Sequence, residues 1–183
     1  ARNGDPKLFR QDGRYFWLIA ALFTVFLPHT AMAESRLTAA AGAFDFFKGN
    51  HVSAAAAFEL RGPVISPSWQ SETFLGFAPT LGVLATSDEG GLVYAMIELP
   101  FVLGPQKNYE VSLSGGFAAY EQGDSALDMG GTAQFVLGAS FSRGLANGHR
   151  LGVTVRHFSN AGLHNRNPGT DVIMAAWTVP FAK

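Results

Sequence analysis

Apolar and polar residues alternate along most of this chain with a period of two, the period of a strand with one apolar face. The clearest run is Leu151-Gly152-Val153-Thr154-Val155. Stepping by two from Leu151 reaches Val153, Val155, His157 and Ser159, while Arg150, Gly152, Thr154, Arg156 and Phe158 take the other parity. Residues 51–61 set Ala54, Ala56, Phe58 and Leu60 against Ser53, Glu59 and Arg61. Residues 92–101 set Val93, Ala95, Ile97, Leu99 and Phe101 against Tyr94, Met96 and Glu98. Residues 109–117 and 133–141 repeat the rhythm, and residues 170–181 put Asp171, Ile173, Ala175, Trp177, Val179 and Phe181 on one side. Two segments are less regular. Residues 41–47 place Phe44 and Phe46 opposite Asp45. Residues 70–85 hold Leu75, Phe77, Leu81 and Val83 in one register with Pro79 and Gly82 inside, which predicts a bulge or an early strand end there.

Turn chemistry separates these segments at Lys48-Gly49-Asn50, the two-proline stretch 62–68, the polar loop 86–91, residues 104–108, the acidic loop 121–130 and Asn147-Gly148. About eight strands result, the smallest common size for a bacterial outer-membrane barrel. The expected fold is therefore all-β, an eight-stranded antiparallel transmembrane barrel over residues 34–183, with small or polar interior positions. A soluble lipocalin-type barrel would reverse the pattern, burying the apolar parity and wetting the outside.

Composition supports the membrane reading. Only 15% of the 183 residues are charged, against about 25% in soluble domains. Yet after residue 33 no unbroken apolar run approaches the ~20 residues of a spanning helix. A net charge of −1 gives no reason to expect nucleic acid as a partner. With no cysteine, disulfides, thiolate metal sites and a Cys nucleophile are all excluded. Lys7, Arg10 and Arg14 precede an apolar run over 15–27, and Ala31-Met32-Ala33 follows. That is the pattern of a secretory signal peptide over residues 1–33, cleaved before Glu34, and it sends the mature chain to the envelope.

With both barrel termini in the periplasm, odd-numbered strands run outward. The seventh ends at His157 and Ser159 near the cell surface, and the eighth returns with Asp171 near its top. By parity all three side chains face lipid, where polar groups are expensive unless paired. The arrangement implies a lipid substrate. His157 and Ser159 have Cα atoms roughly 6.5–7 Å apart, and a neighbouring strand can deliver Asp171 to the far ring nitrogen. Ser as nucleophile, His as base and a carboxylate as orienter is the logic of a hydrolase triad. Asn160 and the Gly162 N–H are candidate oxyanion donors. Spacing alone is a weak signal, because His and Ser fall two apart in many chains by accident.

The residues themselves say more. His157-Phe158-Ser159-Asn160-Ala161-Gly162-Leu163, followed by Asn167, Gly169 and an acid at 171, resembles the active-site signature of the outer-membrane lipid A 3-O-deacylases, the PagL type. The likeness runs from about residue 130 to 181 and includes Ala146-Asn147-Gly148 and Val179-Pro180; before that only the strand rhythm agrees. The resemblance implies an eight-stranded barrel with its triad on the outer wall. It implies hydrolysis of the 3-linked ester of lipid A in lipopolysaccharide, releasing a 3-hydroxy fatty acid without metal or cofactor. Ser159 is then the nucleophile, His157 the base, and Asn160 with Gly162 the oxyanion pair. The family's acid is typically Glu, whereas this chain has Asp171, so Asp128, Asp124 and Glu121 stand as alternatives. Phe181 is also followed by Ala182-Lys183, where such barrels end on an aromatic residue.

Other readings stay open beside this one. A structural or adhesive barrel would bind through the loop near residues 121–130. An acyltransferase would need an acyl pocket inside the barrel. The expected partners are lipopolysaccharide and membrane lipid, with a homodimer open. His157, His164 and Asp171 recur at intervals of seven and invite a metal site, but His164, His51 and His149 read more simply as solvated. Glu59, Arg61, Glu98 and Arg156 read as interior ion pairs. Trp69 and Trp177 read as interface-belt aromatics, and Arg166 as an exposed cation within reach of a lipid A phosphate.

Overall fold

The computed structural model describes residues 34–49 and 51–182. The expected signal peptide and its cleavage point lie outside them. Eight strands follow one another: β1 (Ser35–Phe44), β2 (Ser53–Arg61), β3 (Ala78–Thr86), β4 (Gly91–Leu103), β5 (Tyr109–Glu121), β6 (Ala133–Gly144), β7 (Arg150–Ser159) and β8 (Thr170–Ala182). Each pairs antiparallel with its neighbours in sequence, and β1 closes on β8 to complete a barrel. Closure leaves no edge, so the ladder satisfies the backbone groups of the wall without water.

The alternation resolves into an apolar exterior. Phe58, Ile97, Leu113, Phe117, Leu137, Phe141, Leu151, Val153 and Trp177 are all exposed. A continuous apolar wall of this kind is unfavourable against water and suited to hydrocarbon. The lipocalin alternative, which needs the opposite polarity, is excluded.

The interior differs from the small-or-polar expectation, because an eight-stranded cylinder is just wide enough for side chains to fill it. The half nearest the 45–52, 87–90, 122–132 and 160–169 loops is packed with large apolar groups. Phe44, Phe158, Val136 and Val172 are completely buried there, with Tyr94, Met129 and Met174 at 1% exposure. The other half carries buried charge. Glu59 accepts from Arg156 Nη2 at 3.0 Å and from the Tyr94 hydroxyl at 2.8 Å. Glu110 accepts from Arg61 Nη1 at 2.7 Å and from Arg36 Nη1 at 2.9 Å, and Glu98 lies between Arg61 and Arg156. The interior carboxylates and guanidiniums thus pair with one another, as their parity predicts.

Two strand boundaries depart from the sequence reading. β1 begins and ends earlier than residues 41–47, because Thr38 to Ala41 offer almost no apolar contrast to read. Past Phe44 the chain turns at Asp45, which has φ 55. The third segment breaks at Gly76, not at Pro79 or Gly82. Its φ of 129 makes a bulge there, beyond which Leu75 N–H donates to Pro100 O at 3.0 Å and Val102 N–H to Thr73 O at 2.7 Å. The 62–77 connection therefore folds back along β4 and carries Trp69, stacked on Phe74 with centroids 5.4 Å apart.

Replacing Arg156 with Met leaves Glu59 and Glu98 buried without their shared cation. This is expected to lower stability by about 3–5 kcal/mol, read as a lower urea midpoint for loss of heat-modifiable mobility in detergent micelles.

Candidate active site

The outward parity of β7 and β8 carries all three triad candidates. His157 and Asp171 are direct cross-strand partners in the β7–β8 register. His157 Nδ1 and Asp171 Oδ1 are 2.8 Å apart. Directly opposed residues in an antiparallel ladder have Cα atoms about 4.5–5.5 Å apart, so a carboxylate one methylene shorter than Glu still reaches the ring. The other acids serve elsewhere: Asp128 accepts from Arg166 Nη1 at 2.7 Å and from Gly130 N–H at 2.8 Å. Asp124 and Glu121 make no hydrogen bond to His157. With Nδ1 held by the carboxylate, Nε2 is the nitrogen left for a hydroxyl.

Ser159 follows two residues along the same face and is half-buried; its hydroxyl has no hydrogen-bond partner among the described residues. The Gly169 backbone passes beside both side chains. It has φ 59, and a Cβ there would lie 3.2 Å from His157 Cε1 and 3.5 Å from Ser159 Cβ. At that φ a side chain would be strained, and its Cβ would press on the imidazole.

An apolar groove opens beside the serine on the outer wall. Register aligns Gly115, Leu137 and His157 in one row across β5, β6 and β7, and Phe117, Phe135 and Ser159 in the next. Gly115 supplies no side chain, so the wall is notched between Leu113 and Phe117, and the groove floor runs from Gly115 to Ser159. Sequence reading missed this feature, although a glycine on an otherwise bulky apolar parity is its visible trace.

Comparison with protein families matches residues 50–180 to the PagL lipid A 3-O-deacylase family. The chain belongs to that family. The match starts well before residue 130 and takes in seven of the eight strands. Among solved structures, the crystal structure of the outer-membrane enzyme PagL aligns with a TM-score of 0.64 at 19% identity, covering 80% of this chain and 99% of that one. A de novo designed transmembrane β-barrel aligns at TM-score 0.49 and 14% identity, covering 82% of this chain and 98% of the design. No curated protein matches. Membership makes the chain a lipid A deacylase, an ester hydrolase of the outer membrane, and the apolar wall is its lipid-facing surface.

In this PagL-family barrel the two expected oxyanion donors are engaged with protein. Asn160 is fully buried by its inward parity. Its Nδ2 donates to Met129 O at 2.9 Å and to Arg166 O at 2.6 Å, and its Oδ1 accepts from Gly162 N–H at 3.0 Å. It thereby joins the 122–132 and 160–169 loops over the apolar interior. The Asn160 N–H donates to Asn167 Oδ1 at 3.0 Å, which brings the Asn167 carboxamide beside Ser159. Nothing in the sequence beyond its place in the signature marks Asn167 for this. His164 packs over Gly131 in the same loop pair, and His149 accepts from Trp177 Nε1 at 3.3 Å at the opposite end of the barrel. Among the described residues no three His, Asp or Glu side chains converge as metal ligands.

Asn160→Ala leaves two carbonyls and one N–H without partners. With each buried unsatisfied group costing about 1–3 kcal/mol, the variant is expected to lose roughly 2–4 kcal/mol and to open both loops. Faster amide exchange confined to residues 122–132 and 160–169 is the readout.

Proposed function

We propose that this enzyme removes the 3-O-linked acyl chain of lipid A through a Ser159–His157–Asp171 triad on the lipid-facing wall. The observation that carries the proposal is the 2.8 Å His157–Asp171 contact on the outward face, one step along the strand from Ser159 and beside an apolar groove. His157 Nε2 takes the Ser159 proton as Oγ attacks the ester carbonyl, and Asp171 keeps the Nδ1–H tautomer and supports the imidazolium. Collapse of the tetrahedral intermediate expels the sugar oxygen, which receives that proton. Water, activated by the same histidine, then releases the 3-hydroxy fatty acid from Ser159.

For the oxyanion, Asn160 and Gly162 would have to give up bonds made inside the protein. The Asn167 carboxamide nitrogen, with its oxygen fixed by Asn160 N–H, supplies a donor at no such cost. Asn160 then serves as a positioning residue. The groove from Gly115 to Ser159 suits the acyl chain that passes to Ser159, which can stay in hydrocarbon throughout. Moving it into water would cost about 0.8 kcal/mol per methylene. One barrel holds every member of the triad, so the chemistry calls on no second copy.

Ser159→Ala and His157→Asn are each expected to lower deacylation by a factor of about 10³ or more, with folded mobility kept. Mass spectrometry of lipid A gives the readout, and continued loss of the 3-linked chain in Ser159→Ala would refute the mechanism. Asp171→Asn should cost about 10²–10⁴ in kcat because it favours the wrong tautomer. Filling the notch with Gly115→Phe is expected to raise KM for long-chain substrates more than for a short-chain ester, as measured by initial rates on the two.

A further inference from the structure

The 45–52 loop is fixed to the strand that carries the catalytic acid. Phe46 N–H donates to Asp171 O at 3.1 Å, and the buried Asp45 side chain accepts from His51 N–H at 3.0 Å. At the loop's crest Lys48 Nζ donates to Gly169 O at 3.2 Å. Gly169 lies two residues before Asp171 and beside His157 and Ser159, so the ammonium group is anchored on the loop end that leads into the triad. An ammonium has three donors, and Gly169 takes one of them. Among the described residues no carboxylate pairs with Lys48, whereas Arg166, the other cation near the site, is neutralised by Asp128 at 2.7 Å.

The surroundings give this charge a direction. Phe46 and Phe47 precede Lys48 directly, 47% and 63% exposed, with rings 5.2 Å apart in an edge arrangement. Such a loop seats its rings in the outer edge of the hydrocarbon and lifts its ammonium to headgroup level. Away from that loop the same end of the barrel carries Asp88, Glu89, Glu121 and Asp124, besides Asp128, whose charge Arg166 matches. An anionic headgroup is repelled from that side and drawn to the Lys48 side.

We infer that Lys48 binds a phosphate of the lipid A headgroup and so sets the orientation in which the ester meets Ser159. The inference rests on the deacylase reading, since lipid A is a phosphorylated sugar lipid with phosphate and scissile ester on one headgroup. Ammonium and phosphate form charge-assisted hydrogen bonds, and Lys48 reaches the phosphate without leaving Gly169. It is a specificity residue and takes no part in proton transfer.

The test uses full-length protein in detergent micelles with lipid A and with dephosphorylated lipid A. Lys48→Gln keeps a donor for Gly169 O and removes the charge; Lys48→Arg keeps the charge. Lys48→Gln is expected to raise KM for lipid A about five- to tenfold with little change in kcat, and Lys48→Arg to restore it. Dephosphorylating the substrate should cost the unsubstituted enzyme a similar factor, and the two losses should not add. Equal losses on both lipids would show a purely structural lysine and overturn the inference, as would an unchanged KM on lipid A. Calorimetric binding of both lipids to Ser159→Ala, with and without Lys48→Gln, separates this from the chemistry. If the unsubstituted protein releases no acyl chain, the deacylase mechanism fails while a phosphate preference that vanishes with Lys48→Gln still supports the lysine's role. Binding without any phosphate preference overturns it.

Discussion

Closing eight strands into a cylinder leaves every side chain of the wall one of two surroundings, and the proposed site follows from which one His157, Ser159 and Asp171 receive. The alternation is strict, so a slip of one residue in β7 would carry the imidazole and hydroxyl into the lumen and put Arg156 and Phe158 into lipid. The interior guards against that slip. Phe158 is locked in the apolar packing with an edge contact to Tyr94 at 5.7 Å, and Arg156 is held by Glu59 at 3.0 Å. The residues on either side of His157 thus specify the register that turns it and Ser159 outward.

Polar groups on a lipid-facing wall are unfavourable unless they satisfy one another. Here the imidazole and carboxylate do so directly, and the exposure of 43% for the His157 side chain leaves the ring accessible from the membrane. The support beneath is rigid in two ways. A packed apolar core lies under the site, and Asn160 joins the two loops above that core through carbonyls of both. The interior ion pairs fill the other half of the lumen, with Arg156 the link between them and the strand that carries His157.

A site built on the wall has the acyl chain delivered to it by the membrane, so the enzyme needs only a notch for the chain and a grip on the headgroup. Gly115 makes the notch by lacking a side chain. Lys48 provides the grip in our proposal, standing where the loop between β1 and β2 meets Gly169 at the end of the loop between β7 and β8. Acidic loops away from Lys48 add the repulsion that makes orientation one-sided.

Local alternation was enough to read the strand count, the outward parity of His157, Ser159 and Asp171, and the interior fate of Glu59, Glu98, Arg61 and Arg156. The period of two is a property of the backbone, independent of the partner strand. The signature around Ser159 was legible for the same reason, being contiguous. What the chain alone could not decide depended on contacts between segments far apart. The β7–β8 register set Asp171 opposite His157 and let a short acid reach the ring. Barrel radius decided that Tyr94, Met96 and Phe158 fill the lumen. The alanine-rich start of β1 and the bulge at Gly76 carried too little apolar contrast to place. The engagement of Asn160 with Met129 and Arg166, the groove from Gly115 and the approach of Lys48 to Gly169 exist only once the barrel closes, because each joins residues that no local period relates.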